Sequence, residues 1–251
     1  MTHISINDNG QVRTISLNRP DALNAFTPAM LHELQTALNE AESDSNVNVV
    51  IIKGEGRAFS AGVDLKVLQG VEPQSGKIGN IFDDVANGIT KSLRQFNFPV
   101  IAQVHGACFT GALEIALSCD FILTCDGTKF GDTHAQWGLR PTWGMAQNLA
   151  RAVGVRRARQ LSYSAAVFSG VDAVTWGLAN ESLATPEGLE ERTKELAQQI
   201  AKASPGAVNA YKKLYQLSEE NLPLEEALQS ENALEFSEIT DTVARLKGFG
   251  S

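Results

Sequence analysis

The sequence predicts an α/β fold, on three observations. Apolar, β-branched runs at residues 12–17, 47–52, 100–104 and 121–124 read as strands. Segments with apolar residues at helical spacing separate them, so strand and helix alternate along the chain. Small-residue turns join the two kinds of element, most clearly GEGRAFSAGVDLK at residues 54–66 and HGACFTGALE at residues 105–114.

Taken in order, residues 12–17 alternate as a strand, and RPDALNAF turns the chain into a helix that Thr27 caps and Pro28 opens. Leu31, Leu34, Leu38 and Ala41 then recur at helical spacing and form one buried face. Strand 47–52 runs into the SAGVDL loop, and the polar, glycine-bearing stretch 70–79 is the candidate for a mobile flap. A helix over 81–96 leads through Pro99 into strand 100–104, a glycine turn, the helix that carries Glu114, and strand 121–124. Ser169 begins a helix ending at Trp176, where Gly177 suits a left-handed cap. From Pro186 onward the chain reads as helical, with Leu196, Ile200, Leu214, Leu217, Leu224, Leu228 and Leu234 forming apolar faces that need cover.

A chain of 251 residues with 43% hydrophobic side chains can bury a full core within one domain plus a helical extension. The net charge of −8 and a pI near 5.1 argue against a nucleic-acid partner. Basic side chains between residues 151 and 159, with Lys212 and Lys213, read as solvated helix faces. Cys108, Cys119 and Cys125 lie in apolar context, without metal-ligand spacing, as small core residues of a reducing compartment. No stretch approaches the length of a membrane span, and no basic, apolar leader opens the sequence. These features lead to the expectation of a soluble, cytoplasmic protein. No P-loop, metal cluster or dinucleotide fingerprint is present.

Glu114 stands in the first turn of its helix, where a carboxylate complements the helix dipole by about 0.3–1 kcal/mol. That alone is a structural choice. Its company is more informative, because two small-residue loops, each fed by an apolar strand, can aim two N–H groups at one oxygen.

LNRPDALNAF (residues 17–26), FSAGVDLK (59–66), HGACFTGALEIALSCD (105–120) and SPGAVNAYKKL (204–214) resemble, in order and spacing, the crotonase or enoyl-CoA hydratase/isomerase superfamily. The resemblance covers nearly the whole chain. It implies a spiral of ββα-type turns over residues 1–190 with the acyl-CoA site, and a C-terminal helical region over 191–251 that mediates homotrimers or dimers of trimers.

By the same resemblance, the backbone N–H groups of Val63 and Gly111 form an oxyanion hole, and Glu114 is the catalytic acid–base. Read alone, Val63 is an ordinary loop residue. The family's second catalytic glutamate falls twenty positions after the first, where this chain has His134 within FGDTHAQWGLRP (residues 130–141). A histidine can exchange a proton near neutral pH, or can mark different chemistry. Asp132 and Thr133 are its candidate orienting partners, although strand alternation can turn either away. The resemblance also places the coenzyme A moiety against the backbone of Ala22 and Leu23, the carbonyl of Ala61 and the side chain of Lys66. Lys66 reads equally as a surface lysine.

Thr110 and Ala112 replace glycines common in the Gly-rich turn. Trp137 and Trp143 either narrow the acyl pocket or pack in the core. The implied activity is hydration of an enoyl-CoA, with coenzyme A entering as part of the substrate and no separate cofactor or metal. The alternatives are a crotonase-fold hydrolase that cleaves a carbon–carbon bond and a non-catalytic acyl-CoA-binding protein.

Overall fold

The computed structural model describes residues 2–219 and 222–248. Strands β1 (Ile4–Asn9) and β2 (Val12–Leu17) form an antiparallel hairpin that turns at Gly10, with Ile4 opposite Leu17. Helix α1 (Pro28–Ser43) begins where expected. Thr27 Oγ1 accepts the Met30 N–H, Pro28 stands in the first turn, and Leu31, Leu34, Leu38 and Ala41 are buried. Strand β3 (Val49–Gly54) is followed by the short helix α2 (Leu65–Leu68), which Asp64 caps, and by α3 (Asn80–Gln95).

The central passage runs through β4 (Val100–Val104), β5 (Ala107–Phe109), α4 (Gly111–Ala116), β6 (Phe121–Cys125) and β7 (Lys129–Gly131). Helices α5 (Met145–Val153) and α6 (Val155–Ser164), strand β8 (Val167–Ser169), helix α7 (Gly170–Thr175) and strand β9 (Glu181–Leu183) complete the core. Ser169 caps α7 through a reciprocal box with Asp172, and Gly177 takes the left-handed conformation just beyond it.

The strands form two sheets. The larger has the order β1-β2-β3-β4-β6-β9 and is parallel from β2 onward; the smaller has the order β5-β7-β8. Successive passages of the chain leave one strand in each: β4 then β5, and β6 then β7. The passage from β3 contributes Ser60, which bridges to Cys108 of β5. This is the spiral of strand–strand–helix turns that the resemblance implies.

Because the large sheet is covered on both faces, its strands read as continuous apolar runs. Val50 and Ile52 of β3 face the main core with α1, α3 and α4, whereas Val49 and Ile51 face the opposite side. Helix α8 (Pro186–Ala201) covers that second side through Leu189 and Ala197. A division between residues 190 and 191 therefore runs through a helix that belongs to the sheet.

Helices α9 (Pro205–Glu219), α10 (Leu224–Ala233) and α11 (Thr242–Lys247) follow. Lys212 is not the solvated lysine expected from sequence. Its ammonium donates to the carbonyls of Leu93 (2.9 Å) and Phe98 (3.1 Å) and to Asp120 Oδ2 (2.8 Å), and so clasps α9 to the end of α3. Lys213 instead pairs with Glu238 on the exterior. Among the described residues, no helix is long and apolar enough to cross a membrane.

Candidate active site

The loop leaving β3 lies alongside β5, joined by the Ser60 N–H donating to the Ala107 carbonyl (3.0 Å) and the Phe59 N–H to the His105 carbonyl (2.8 Å). This alignment brings Val63 and Gly111 to the wall of one cavity of about 310 Å³, together with Ala61, Glu114, His134 and Trp143. The neighbours of Val63 are engaged with Phe26, through the Gly62 carbonyl and the Asp64 N–H, while the Val63 N–H meets no acceptor among the described residues. Gly111 opens α4, so its N–H lacks an intrahelical acceptor as well. Both residues line the same cavity.

Close approach explains the small residues here. A Cβ on Gly62 (φ +90) would lie 2.2 Å from Thr110 Oγ1, and one on Gly111 would lie 2.3 Å from the Trp143 ring. Thr110 holds φ +47 and ψ −115 immediately before Gly111. Such a backbone costs a non-glycine residue about 1–3 kcal/mol, so the turn stores strain where it aims its donor.

Glu114 is 1% exposed, which removes the reading of a merely solvated first-turn acid. Its Oε1 accepts two backbone N–H groups, from Trp143 (2.9 Å) and Met145 (3.0 Å), across the turn that begins α5. Burial raises its carboxyl to about 7, against the lowering effects of His134 and of these two donors. A base poised there can both take and return a proton near neutral pH.

His134 begins a 3₁₀ turn, His134–Trp137, directly after β7. Its Nδ1 lies 2.6 Å from Asp132 Oδ1, and its Nε2 lies 3.8 Å from Glu114 Oε2. Burial would raise the Asp132 carboxyl, but hydrogen bonds from His134 and Ser162 and the charge of His134 hold it below the ordinary range. An ionised carboxylate only accepts, so Nδ1 carries the proton and Nε2 is turned toward Glu114. Of the two candidate orienting residues, Asp132 makes this bond.

The residues expected around coenzyme A divide. The Ala61 carbonyl accepts no hydrogen bond among the described residues, and its residue lines the cavity. Ala22 and Leu23 form the adjoining turn, where the Leu23 carbonyl accepts the Ala61 N–H (2.9 Å) and their own N–H groups bond to Arg19 and Pro20. Their backbone shapes the entrance, with only spare carbonyl lone pairs to offer. Lys66 is exposed on α2 and is not among the cavity-lining residues, unlike its neighbours Leu65 and Leu68, and its N–H donates to Asp64.

Stretch 70–79 reaches the site: the Gly76 carbonyl accepts the Arg140 N–H (2.9 Å), and Ile78 is buried against the cavity. Trp143 is 2% exposed and lines the cavity, so it serves as core and wall at once. Trp137, in contrast, is 55% exposed at the rim, not in the core.

Two supporting residues escaped the sequence reading. Asn24, fully buried, donates to the Glu55 (2.9 Å) and Ala58 (2.8 Å) carbonyls and ties the entrance turn to the loop after β3. Asp83, on α3, accepts the Thr142 hydroxyl (2.7 Å) and the Trp143 indole N–H (2.9 Å). A polar residue at a position of helical burial was the only signal for Asp83.

Comparison with known proteins identifies the family. Residues 7–250 match the model of the family described as enoyl-CoA hydratase/isomerase. The chain is 33% identical to a probable peroxisomal enoyl-CoA hydratase 1 of Arabidopsis thaliana over 80% of its own length and 73% of that protein. It is 32% identical to a short-chain-enoyl-CoA hydratase of Clostridium acetobutylicum, over 84% and 80% of the two chains. A crystal structure of enoyl-CoA hydratase from Bacillus anthracis superposes with a TM-score of 0.88 at 31% identity, covering 98% of this chain and 94% of that one. With a family match over residues 7–250 and relatives above 30% identity over most of its length, the chain belongs to the enoyl-CoA hydratase/isomerase family.

Proposed function

We propose that the protein adds water across the 2,3 double bond of an acyl-CoA thioester. The observation that carries this reading is the buried Glu114, tied by Oε1 to two backbone donors and sharing one cavity with the unpaired N–H groups of Val63 and Gly111. In this mechanism the thioester oxygen is bound by those two N–H groups. Glu114, as carboxylate, takes a proton from water while the water oxygen bonds to C3. The C2–C3 π electrons move onto the thioester as an enolate, whose charge the two donors stabilise. The enolate collapses as C2 takes a proton from the protonated His134, and Glu114 then returns a proton to His134 Nε2 through a water bridging their 3.8 Å gap. One water is consumed, and both groups end as they began. The helix α4 dipole favours the same build-up of negative charge.

Entry of the substrate past Ala22, Leu23 and Ala61, with Lys66 meeting its phosphates outside, completes the binding model. Coenzyme A arrives with the acyl group, and no further cofactor is required.

The test is loss of the enoyl-thioester absorbance on adding the protein to crotonyl-CoA, repeated with Glu114→Gln. Turnover by the wild type that the substitution abolishes supports hydration. Release of a free acid from a β-diketone or β-ketoacyl-CoA instead supports the second reading, a hydrolase that cleaves a carbon–carbon bond, which the Asp132–His134 pair favours because it can also activate water. Inert protein with every enoyl-CoA would leave an acyl-CoA-binding role.

The C-terminal helices belong to the same reading as the seat of a homotrimer or dimer of trimers. Leu224, Val243 and Leu246 are 71%, 66% and 66% exposed in the single chain, and assembly would cover them. Light scattering that gives three or six times 27.0 kDa supports this, and a monomer overturns it. Three free thiols suit a reducing compartment such as the cytoplasm.

A further inference from the structure

Trp143 carries two jobs that are physically separable. Its backbone N–H holds Glu114, while its ring lies against Gly111 and lines the cavity. The ring does not rest there by packing alone. Its Nε1–H donates to Asp83 Oδ1 (2.9 Å), and the same oxygen accepts the Thr142 hydroxyl (2.7 Å), so two neighbouring residues of the turn are tied to α3 by one nearly buried carboxylate. Both partners are neutral donors, and the indole N–H, a donor only, finds the acceptor that burial demands.

Phe82, next to Asp83, is fully buried in the main core, so the anchor does not yield easily. The space left beside this wall is small. At about 310 Å³ the cavity stands at the lower end of the roughly 300–1,000 Å³ typical of ligand pockets.

We propose that Trp143, pinned by Asp83, is the wall that limits acyl length, so that the protein selects short acyl chains. The inference rests on the acyl-CoA reading and deepens it. Trp143 determines specificity through its ring, and Asp83 is a positioning residue that acts through Trp143. A longer chain has to displace a ring that is wedged against Gly111 and hydrogen-bonded behind.

The test measures binding and needs no turnover. Titration calorimetry with butanoyl-, octanoyl- and dodecanoyl-CoA is run on wild type, Trp143→Ala, Asp83→Ala and Asp83→Asn. Expected for wild type is butanoyl-CoA binding at least about tenfold tighter than dodecanoyl-CoA, the discrimination one misfit methylene can already give. Trp143→Ala reverses that order, Asp83→Ala moves in the same direction, and Asp83→Asn, whose carbonyl can still accept both donors, stays near wild type.

Wild type that binds dodecanoyl-CoA as tightly as butanoyl-CoA overturns the proposal, and this decides the matter even if Trp143→Ala fails to fold. A folded Trp143→Ala with an unchanged order overturns it as well. Absence of binding to every acyl-CoA instead overturns the parent reading, and this one with it.

Discussion

Asp132 Oδ1 lies 2.6 Å from His134 Nδ1, and this single bond turns the far nitrogen of the ring toward the Glu114 carboxylate. Two residues so close in sequence meet because the chain leaves β7 and tightens at once into a 3₁₀ turn, which breaks the alternation that would have separated them. The position where the resemblance expects a second acid thus carries an imidazole held in one orientation.

His134→Ala is expected to lower kcat by roughly 10²- to 10⁴-fold, the usual worth of a positioned proton donor. Asp132→Asn should lose a smaller part of that, with KM nearly constant, because it disturbs the tautomer and not the acyl site. Steady-state hydration kinetics check both. An unimpaired His134→Ala would remove the imidazole from the mechanism.

The pH dependence follows from Glu114. Its carboxyl is raised to about 7, and the water-activating form is the ionised one. Hydration should therefore rise with pH up to about 7 and fall about tenfold for each pH unit below it. A kcat/KM profile that is flat between pH 5 and 8 would contradict this assignment of the base.

The same burial makes Glu114 costly to the fold. A carboxyl lifted from 4.5 to about 7 is no burden below pH 4.5, becomes one as pH rises through that range, and above it costs the ionised protein up to about 3 kcal/mol. Glu114→Gln keeps a carbonyl for the Trp143 and Met145 donors and sheds the charge. The inactive variant should melt higher than wild type at pH 8 and equally at pH 4.5, as thermal unfolding at the two pH values can show.

Gly62→Ala brings a methyl to within 2.2 Å of Thr110 Oγ1 at φ +90. Either loop must shift, and misplacing one oxyanion donor costs roughly 10²- to 10³-fold in kcat. Activity near wild type would show that these loops tolerate separation.

Lys212→Met leaves the Leu93 and Phe98 carbonyls and Asp120 without their shared donor. The side chain is 8% exposed, so a loss of about 2–4 kcal/mol, or roughly 5–15 °C in Tm, is expected. Scanning calorimetry decides it, and an unchanged Tm would return Lys212 to the surface role that its sequence suggested.

Long, apolar elements were legible in the sequence, and short ones were not. Residues 12–17 and 100–104 form strands with the expected bounds, and Thr27 caps α1 as read, because burial on both faces and cap chemistry leave local marks. Strand β1 went unnoticed since only Ile4 of it is buried, and β5, β7, β8 and β9 are three residues each, too short to show a period. At the site, Glu114 and His134 could be placed by motif, but Asp83 lies 60 residues from the indole it holds, beyond the reach of any local pattern. Trp137 and Trp143 looked alike as aromatic residues. Only the packing separates an exposed rim from a pinned wall.

The clearance between Gly62 and Thr110 has a consequence for how such a protein can change. The two loops that carry Val63 and Gly111, the proposed oxyanion donors, meet so closely here that a larger residue at Gly62 must move Thr110. Room for variation lies in the segment that carries Trp137 and Trp143, whose side chains can be exchanged while the Glu114-binding N–H groups of Trp143 and Met145 stay with the backbone. A different acyl group is thus open to this scaffold by rewriting one wall, with the backbone donors proposed to stabilise charge kept in place.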